Sequence, residues 1–393
     1  MTSEPVAGPA GVGRVGDHVL LTGSTGFLGS EILRRVLERH PGSRLALVVR
    51  STHRETARER VDKVLTRMFG LKEASRHSER IDVVEGDISL RGMGMDADRA
   101  AALAPRIDHV IHCAATVRFD LALDVARRDN TEGTRNVLEL AERLPNLGRF
   151  DYVGTAFVAG DRRGVIREGE LDVGQHFLNS YEQTKMEAET LVRAFAQRRP
   201  TAIHRPSIVV GDSRTGETSA FQGFYQALAL YRRLYARKLV VLLPADPQTP
   251  LDLVPVDYVI DALFALMHKP ESLGRCFHLT SGPGSTCTTD EIVKMLAEFT
   301  GVPQPPYVPK RAYELVLRPL LRTLLFWDSR KELARRAEIF MPYAWSNLVF
   351  DKTNTDTLLA GSGITVPHCR TYFVKLLEYQ AKAARASPVN RTL

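Results

Sequence analysis

Apolar and polar positions follow two periods along the first half of the chain. Short apolar runs read as buried strands at His18–Thr22, Leu45–Val49, Ile81–Glu85, Asp108–His112, Arg149–Val153 and Ala202–His204, with a strand-like run at Ile208–Val210. Between them the spacing turns helical. Ile32, Leu33, Val36 and Leu37 form one stripe that His40, Pro41 and Gly42 end. Further helices are expected over 52–72, 97–105, 127–143 and 180–197, the first of these rich in charge. Strand and helix alternate without a break as far as Gly211, which predicts a parallel, doubly wound α/β sheet.

After Gly211 the regularity changes. Residues 221–237 read as a helix rich in aromatics and arginine, 251–267 as a short strand and a helix, and Phe277–Thr280 as a strand. Thr288, Thr289, Asp290 and Glu291 give a start signal to a helix over 288–300, and 310–384 reads as mostly helical. The expected organisation is a flexible arm at 1–16, a nucleotide-binding domain at 17–211, a smaller and mostly helical substrate-binding lobe at 212–385 to which 251–280 does not wholly belong, and a frayed tail at 386–393.

The first strand runs straight into T-G-S-T-G-F-L-G, with glycines at 23, 26 and 29. Gly23 permits a tight turn, Gly26 lets the backbone approach a pyrophosphate, and Gly29 lets the helix pack closely on the strand. The helix N-terminus then offers unpaired N–H groups to phosphates. The strand before and the helix after supply the context this motif needs, so a Rossmann-type dinucleotide fold is expected.

The second strand ends at Arg50, with Ser51 and Arg54 close behind, where an NAD site usually places a carboxylate. A guanidinium there grips a 2′-phosphate, which points to NADPH; the alternative is a solvated surface charge. Asp87, at the end of the third strand, is read either as a partner for the adenine amino group or as a turn residue. Cys113, Ala114, Ala115 and Thr116 are small enough for the backbone to lie against a cofactor.

Tyr181 and Lys185 stand at i and i+4 on a predicted helix and so face the same way. A nearby ammonium favours the phenolate, so Lys185 is expected to lower the Tyr181 hydroxyl from its usual ~10. Thr155, at the end of the fifth strand, adds a second donor for a substrate oxygen. Asn130 is read either as orienting a water beside Lys185 or as a capping residue.

Composition narrows this picture without redirecting it. The chain has 393 residues, 44% hydrophobic and 25% charged, as in a globular protein with a large core. A net charge of +7 and a pI near 9.3 suit an anionic cofactor, an acidic carrier protein or an anionic surface. No nucleic-acid motif accompanies that charge. Cys113, Cys276, Cys287 and Cys369 lie far apart, so reduced thiols and no metal site are expected. The first residues lack a basic, apolar leader pattern, and no apolar run reaches the ~18 residues of a span. A cytoplasmic protein is expected. The stretch AYELVLRPLLRTLLFW at 312–327, broken by Arg318, Pro319 and Arg322, is read either as a peripheral membrane contact or as a lid helix.

TGSTGFLG, YEQTK and the strand-end Thr155 resemble the extended short-chain dehydrogenase/reductases. IDVVEGDISLRGMGM, DHVIHCAATVRFD, RDNTEGTRNVLELA and HRPSIVVG are similar to fatty acyl-CoA reductases and to terminal thioester reductase domains. The resemblance covers about 17–300. It implies NADPH as cofactor, an acyl-CoA or acyl carrier protein thioester as substrate, and an aldehyde or alcohol as product. Thr155, Tyr181 and Lys185 would be catalytic, with Asn130 beside them. Gly23, Thr25, Gly26, Phe27, Leu28, Gly29, Arg50, Arg54, Asp87, Ile88, Ala114, Ala115, Thr116, Tyr181, Lys185, Pro206, Ser207 and Ile208 would contact the cofactor. Val117, Phe157 and Phe221 would face the substrate. Gly154 departs from the family, which often has Ser before the catalytic Thr. Other redox chemistry on sterols or sugar nucleotides, and a non-catalytic NADPH-binding role, rank below this reading.

Overall fold

Seven apolar runs pair into one parallel sheet: β1 (His18–Thr22), β2 (Arg44–Val49), β3 (Ile81–Glu85), β4 (His109–His112), β5 (Arg149–Val153), β6 (Thr201–Pro206) and β7 (Cys276–Leu279). The computed structural model describes residues 16–219, 221, 224, 225, 228, 242–320 and 338–386. The arm through 15, most of the helix expected at 221–237, residues 321–327 of the apolar stretch and the tail from 387 lie outside the described residues.

The sheet order is β7-β6-β5-β4-β1-β2-β3, every neighbour parallel. The chain steps outward from β1 to β3, then returns to the other side of β1 and steps out again. The order reverses between β1 and β4, where Thr22 lies level with His112. Ligands bind at such switch points beyond the strand C-termini.

Both faces of the sheet are buried, which is why its strands read as continuous apolar runs. On one face Leu21, Leu47 and Ile111 pack beneath helices 27–39, 57–78 and 256–267. On the other, Leu20, Val48 and Tyr152 pack against Val137 and Val192 of helices 133–142 and 180–196. The helix expected at 52–72 begins at Ala57, behind a capping box of Thr56 and Glu59, and runs to Ser78. The one expected at 127–143 opens as a π-turn over Arg127–Glu132 before becoming regular.

A buried charge cluster interrupts the first face. Asp151, wholly buried, accepts from Arg149 Nε at 2.6 Å, Arg149 Nη2 at 2.9 Å, and the Nε2 atoms of His109 and His204 at 2.7 Å each. Arg149 also donates to Ser272 Oγ at 2.8 Å. The cluster ties β4, β5 and β6 to the turn ahead of β7.

The chain after 211 interleaves with what precedes it. Leu253–Pro255 pairs with Ile208–Val210, and β7 lies in the main sheet. Leu348–Phe350 pairs with Gly164–Ile166. Buried Glu168 then receives Asn354 N at 2.5 Å and Thr355 N at 3.2 Å, capping the helix Thr353–Leu359. The 310–384 stretch is thus less helical than its pattern predicts, because a strand pairing 184 residues away in sequence (348 minus 164) overrides local spacing. Helix 289–300 starts behind the predicted Thr288–Glu291 capping box.

Candidate active site

The glycine turn sits at the switch point. Gly23 has φ +79°, and a Cβ there would stand 2.7 Å from Ala114 N; a Cβ on Gly29 would stand 2.1 Å from Gly23 O. Gly26 ends the turn by donating to Gly23 O at 2.9 Å. Gly26 also begins helix 27–39, which has no side-chain cap and no acidic residue in its first turn. Its free N–H groups therefore keep their partial positive charge. The Ser24 hydroxyl, buried in the same turn, has no hydrogen-bond partner among the described residues. An orphaned donor, uncapped amides and a turn without Cβ atoms fit a pyrophosphate. Phe27 and Leu28, half-buried, pack from this turn onto the core.

Beyond β2, Arg50 is 61% exposed, with Asp87 Oδ2 3.7 Å away. Burial acts to raise the Asp87 carboxyl, but Ser89 donating from N and Oγ, together with Arg50, brings it below its ordinary value. A second arginine, which the sequence reading missed, joins Arg50. Arg60 donates to the Arg50 carbonyl at 2.6 Å and to Thr25 Oγ1 at 3.0 Å. Its signal was the Thr56–Glu59 capping box, which places Arg60 in the first turns of a helix leaving the β2 loop. Arg54 is exposed and contacts His53.

At the end of β4, Thr22 Oγ1 accepts from Cys113 N and Ala114 N at 3.2 Å each and lies 2.7 Å from His112 Nδ1. Its own proton goes to Nδ1, so the imidazole carries its proton on Nε2, which faces Thr134 Oγ1 at 3.1 Å. Burial brings His112 down to about 3, so it stays neutral. Ala115 is exposed beside the turn, and Ile88 supplies its carbonyl to Asn136 Nδ2 at 2.8 Å. The Asn130 amide accepts from Thr116 N at 2.8 Å and donates to Thr116 O at 3.1 Å and Thr184 Oγ1 at 3.0 Å. It braces the β4 loop against helix 180–196.

The helix that carries Tyr181 and Lys185 spans Ser180–Ala196. Thr155 follows β5, and its Oγ1 accepts from Phe157 N at 3.3 Å, leaving its proton to donate. Burial pushes the Tyr181 hydroxyl up to about 12, with the Thr155 side chain pulling the other way. Burial brings Lys185 down to about 8. Lys185 Nζ donates to the Val153 carbonyl at 3.0 Å and sits 4.4 Å from the Tyr152 ring centre. The expected lowering of Tyr181 by Lys185 is therefore corrected. The ammonium is directed at β5, and burial keeps the phenol protonated at neutral pH.

Phe119 stacks on Tyr181 at 5.6 Å between ring centres, and Phe157 meets Tyr343 at 5.7 Å. Val117 stands exposed on the same loop as Phe119. Phe221 packs instead with Tyr225 and Tyr379 at 5.6 and 6.4 Å in the C-terminal cluster. Pro206 ends β6, the Ser207 hydroxyl donates to Asp252 Oδ1 at 2.5 Å, and Ile208 begins the next strand. Among the described residues no group of His, Cys, Asp and Glu could hold a metal ion.

The family model described as male sterility protein matches residues 21–263. The fatty acyl-CoA reductase wat of Drosophila melanogaster is 29% identical over 277 residues, covering 63% of this chain and 53% of that protein. A linear gramicidin synthase from Brevibacillus parabrevis is 31% identical over 279 residues, covering 70% of this chain and 5% of that protein. The crystal structure of the terminal R domain from the myxalamid PKS-NRPS biosynthetic pathway is 29% identical, with a TM-score of 0.77, covering 95% of this chain and 92% of that one. The chain spans about half the length of the Drosophila relatives it matches.

Proposed function

The chain belongs to the male sterility protein family, and from that premise we propose that it reduces an acyl thioester, carried on coenzyme A or an acyl carrier protein, using NADPH. The products are the free thiol and an aldehyde, which a second reduction takes to the alcohol. The observation that carries this reading is the pair of protonated donors, Thr155 and Tyr181, set beside a cradle fit for a dinucleotide.

Gly23, Gly26 and Gly29 would hold the pyrophosphate, Arg50, Arg54 and Arg60 a 2′-phosphate, and Lys185 the ribose. When bound, the reduced nicotinamide supplies a hydride. Thr155 and Tyr181 receive the thioester oxygen, and their hydrogen bonds strengthen as charge builds on it. A phenol held near 12 stays protonated at neutral pH, so Tyr181 delivers a proton to that oxygen rather than removing one. Collapse of the tetrahedral adduct then re-forms the carbonyl and breaks the carbon–sulfur bond; the oxygen's proton returns to Tyr181, and the departing thiolate takes up a proton from water to become the free thiol. The basic chain favours anionic CoA and acidic carriers alike. No described helix is long and apolar enough to cross a membrane. At 312–320, Leu315 and Val316 stand exposed, which supports a surface contact there over a packed lid.

The test follows absorbance at 340 nm of purified protein with NADPH or NADH and acyl-CoA or acyl-carrier thioesters, with product analysis. NADPH loss with aldehyde or alcohol formation is expected; no oxidation with any thioester overturns the reading. In the same assay, Ala at Arg50 or Arg60 is expected to raise the KM for NADPH by about 10- to 100-fold, the worth of a charge-assisted phosphate contact, with the KM for NADH unchanged. Equal losses for both cofactors would remove the arginines from 2′-phosphate recognition.

The Lys185 ammonium gives the pH dependence. Its charge is present below about 8 and lost above it. Because kcat/KM reports the free enzyme, it is expected to fall as pH rises through about 8. A profile flat from pH 7 to 9.5 would show that the charge is not needed.

A further inference from the structure

The start of the catalytic helix carries a carboxylate that the chemistry above leaves unused. Glu182, next to Tyr181, is wholly buried and pairs with no cation among the described residues. Its Oε2 accepts from Leu178 N at 2.9 Å, and its Oε1 accepts the Tyr343 hydroxyl. That hydroxyl also accepts from Asn179 Nδ2 at 2.6 Å, and Asn179 Oδ1 caps the helix by accepting from Glu182 N at 3.0 Å. Capping needs only Asn179. Burying a carboxylate among neutral donors costs free energy that capping does not require. Burial, with Asp161 acting in the same direction against the Tyr343 and Leu178 hydrogen bonds, raises Glu182 to about 7.

Tyr343 comes from the Met341–Trp345 turn, remote in sequence from the helix it meets. Its ring lies 6.0 Å from Phe119 and 5.7 Å from Phe157, and Phe340 lies 6.0 Å from Phe119. Phe119 in turn stacks on Tyr181. Rings from three stretches of chain thus gather at the proton donor.

We propose that Tyr343 is a positioning residue: its hydroxyl, held between Glu182 and Asn179, fastens the 340–346 turn to the start of the catalytic helix and sets Tyr181 and the aromatic wall against which the acyl group lies. The wall's role rests on the acyl-thioester reading. With its hydroxyl committed to Glu182 and Asn179, Tyr343 presents only a hydrocarbon face, as do Phe119, Phe157 and Phe340. A carbonyl oxygen held by Tyr181 and Thr155 places the adjoining acyl carbons near these rings. A displacement of the wall or of Tyr181 by a fraction of an ångström acts on the reaction without touching the cofactor cradle.

The test compares Tyr343→Phe, which keeps the ring and loses the hydroxyl, with Glu182→Gln, whose one carbonyl oxygen accepts from Tyr343 or from Leu178 N but not from both. Tyr343→Phe is expected to lower kcat about 10-fold or more with the thioester that the wild type turns over. NADPH affinity by fluorescence titration should be unchanged in both variants, and Glu182→Gln should lower kcat in the same direction as Tyr343→Phe. Hydrogen exchange should quicken in Tyr343→Phe over 178–182 and 340–346 but not over 23–30. Wild-type kcat and KM in Tyr343→Phe, an equal loss of NADPH binding, or unchanged exchange in those two stretches would each overturn the proposal. A wild type that oxidises no NADPH with any thioester defeats the acyl-thioester reading instead, and exchange still decides whether Tyr343 fastens the turn.

Discussion

Tyr181→Phe is expected to lower kcat by about 10²- to 10⁴-fold, the usual worth of a positioned general acid, and to leave NADPH binding unchanged. The substitution removes one oxygen and keeps the ring that Phe119 stacks on, so helix 180–196 has no reason to shift. Thr155 remains as a donor to the thioester oxygen, but its hydroxyl is far too weak an acid to replace the phenol. The loss therefore falls on kcat, because the missing proton is needed only as charge develops on oxygen. Single-turnover mixing with NADPH and the best thioester measures it. A variant that keeps more than about a tenth of wild-type kcat would take the proton-donor role away from Tyr181.

The second large effect is on stability. Asp151→Ala is expected to cost about 3–5 kcal/mol in urea unfolding, the range for removing one partner of a buried charge pair. Arg149 would keep Ser272 as a partner, but its charge would have no counter-ion in a cluster closed to water. The sign with pH follows from the carboxyl itself. Burial acts to raise it, yet Arg149, His109 and His204 together hold it well below the carboxylate range. Its contribution is thus complete above the unfolded-state value near ~3.9 and is lost as pH falls towards the folded value. Wild type should lose stability in acid by this route, and Asp151→Ala should show a flatter acid limb. A cost below about 1 kcal/mol would mean that water reaches the cluster. The cluster bears on function as well. It fixes β5, whose Val153 carbonyl receives Lys185 and whose end presents Thr155.

The α/β order, the glycine turn and the relation of Tyr181 to Lys185 were legible because each depends on residues close together in the chain. Burial of both sheet faces writes itself as apolar runs, and a helix of 3.6 residues per turn puts i and i+4 on one side whatever surrounds it. Arg50 was legible for the same reason, standing at the end of its own strand. Arg60 was not, since its contact with Arg50 depends on where helix 57–78 leans; the pattern at 52–72 showed only abundant charge.

The amino-acid sequence by itself therefore determined the strands and the glycine turn, and it marked Thr155, Tyr181 and Lys185 as the candidate side chains. Tertiary structure alone decided which partner each of them takes. Lys185 turns to the Val153 carbonyl because β5 lies beneath its helix, Asn130 is consumed by Thr116 and Thr184, and Phe221 joins Tyr225 and Tyr379. Glu182 and Tyr343 meet across 161 residues, a separation at which no local spacing carries a signal. Periodicity records which side of an element is buried; only packing records what it is buried against.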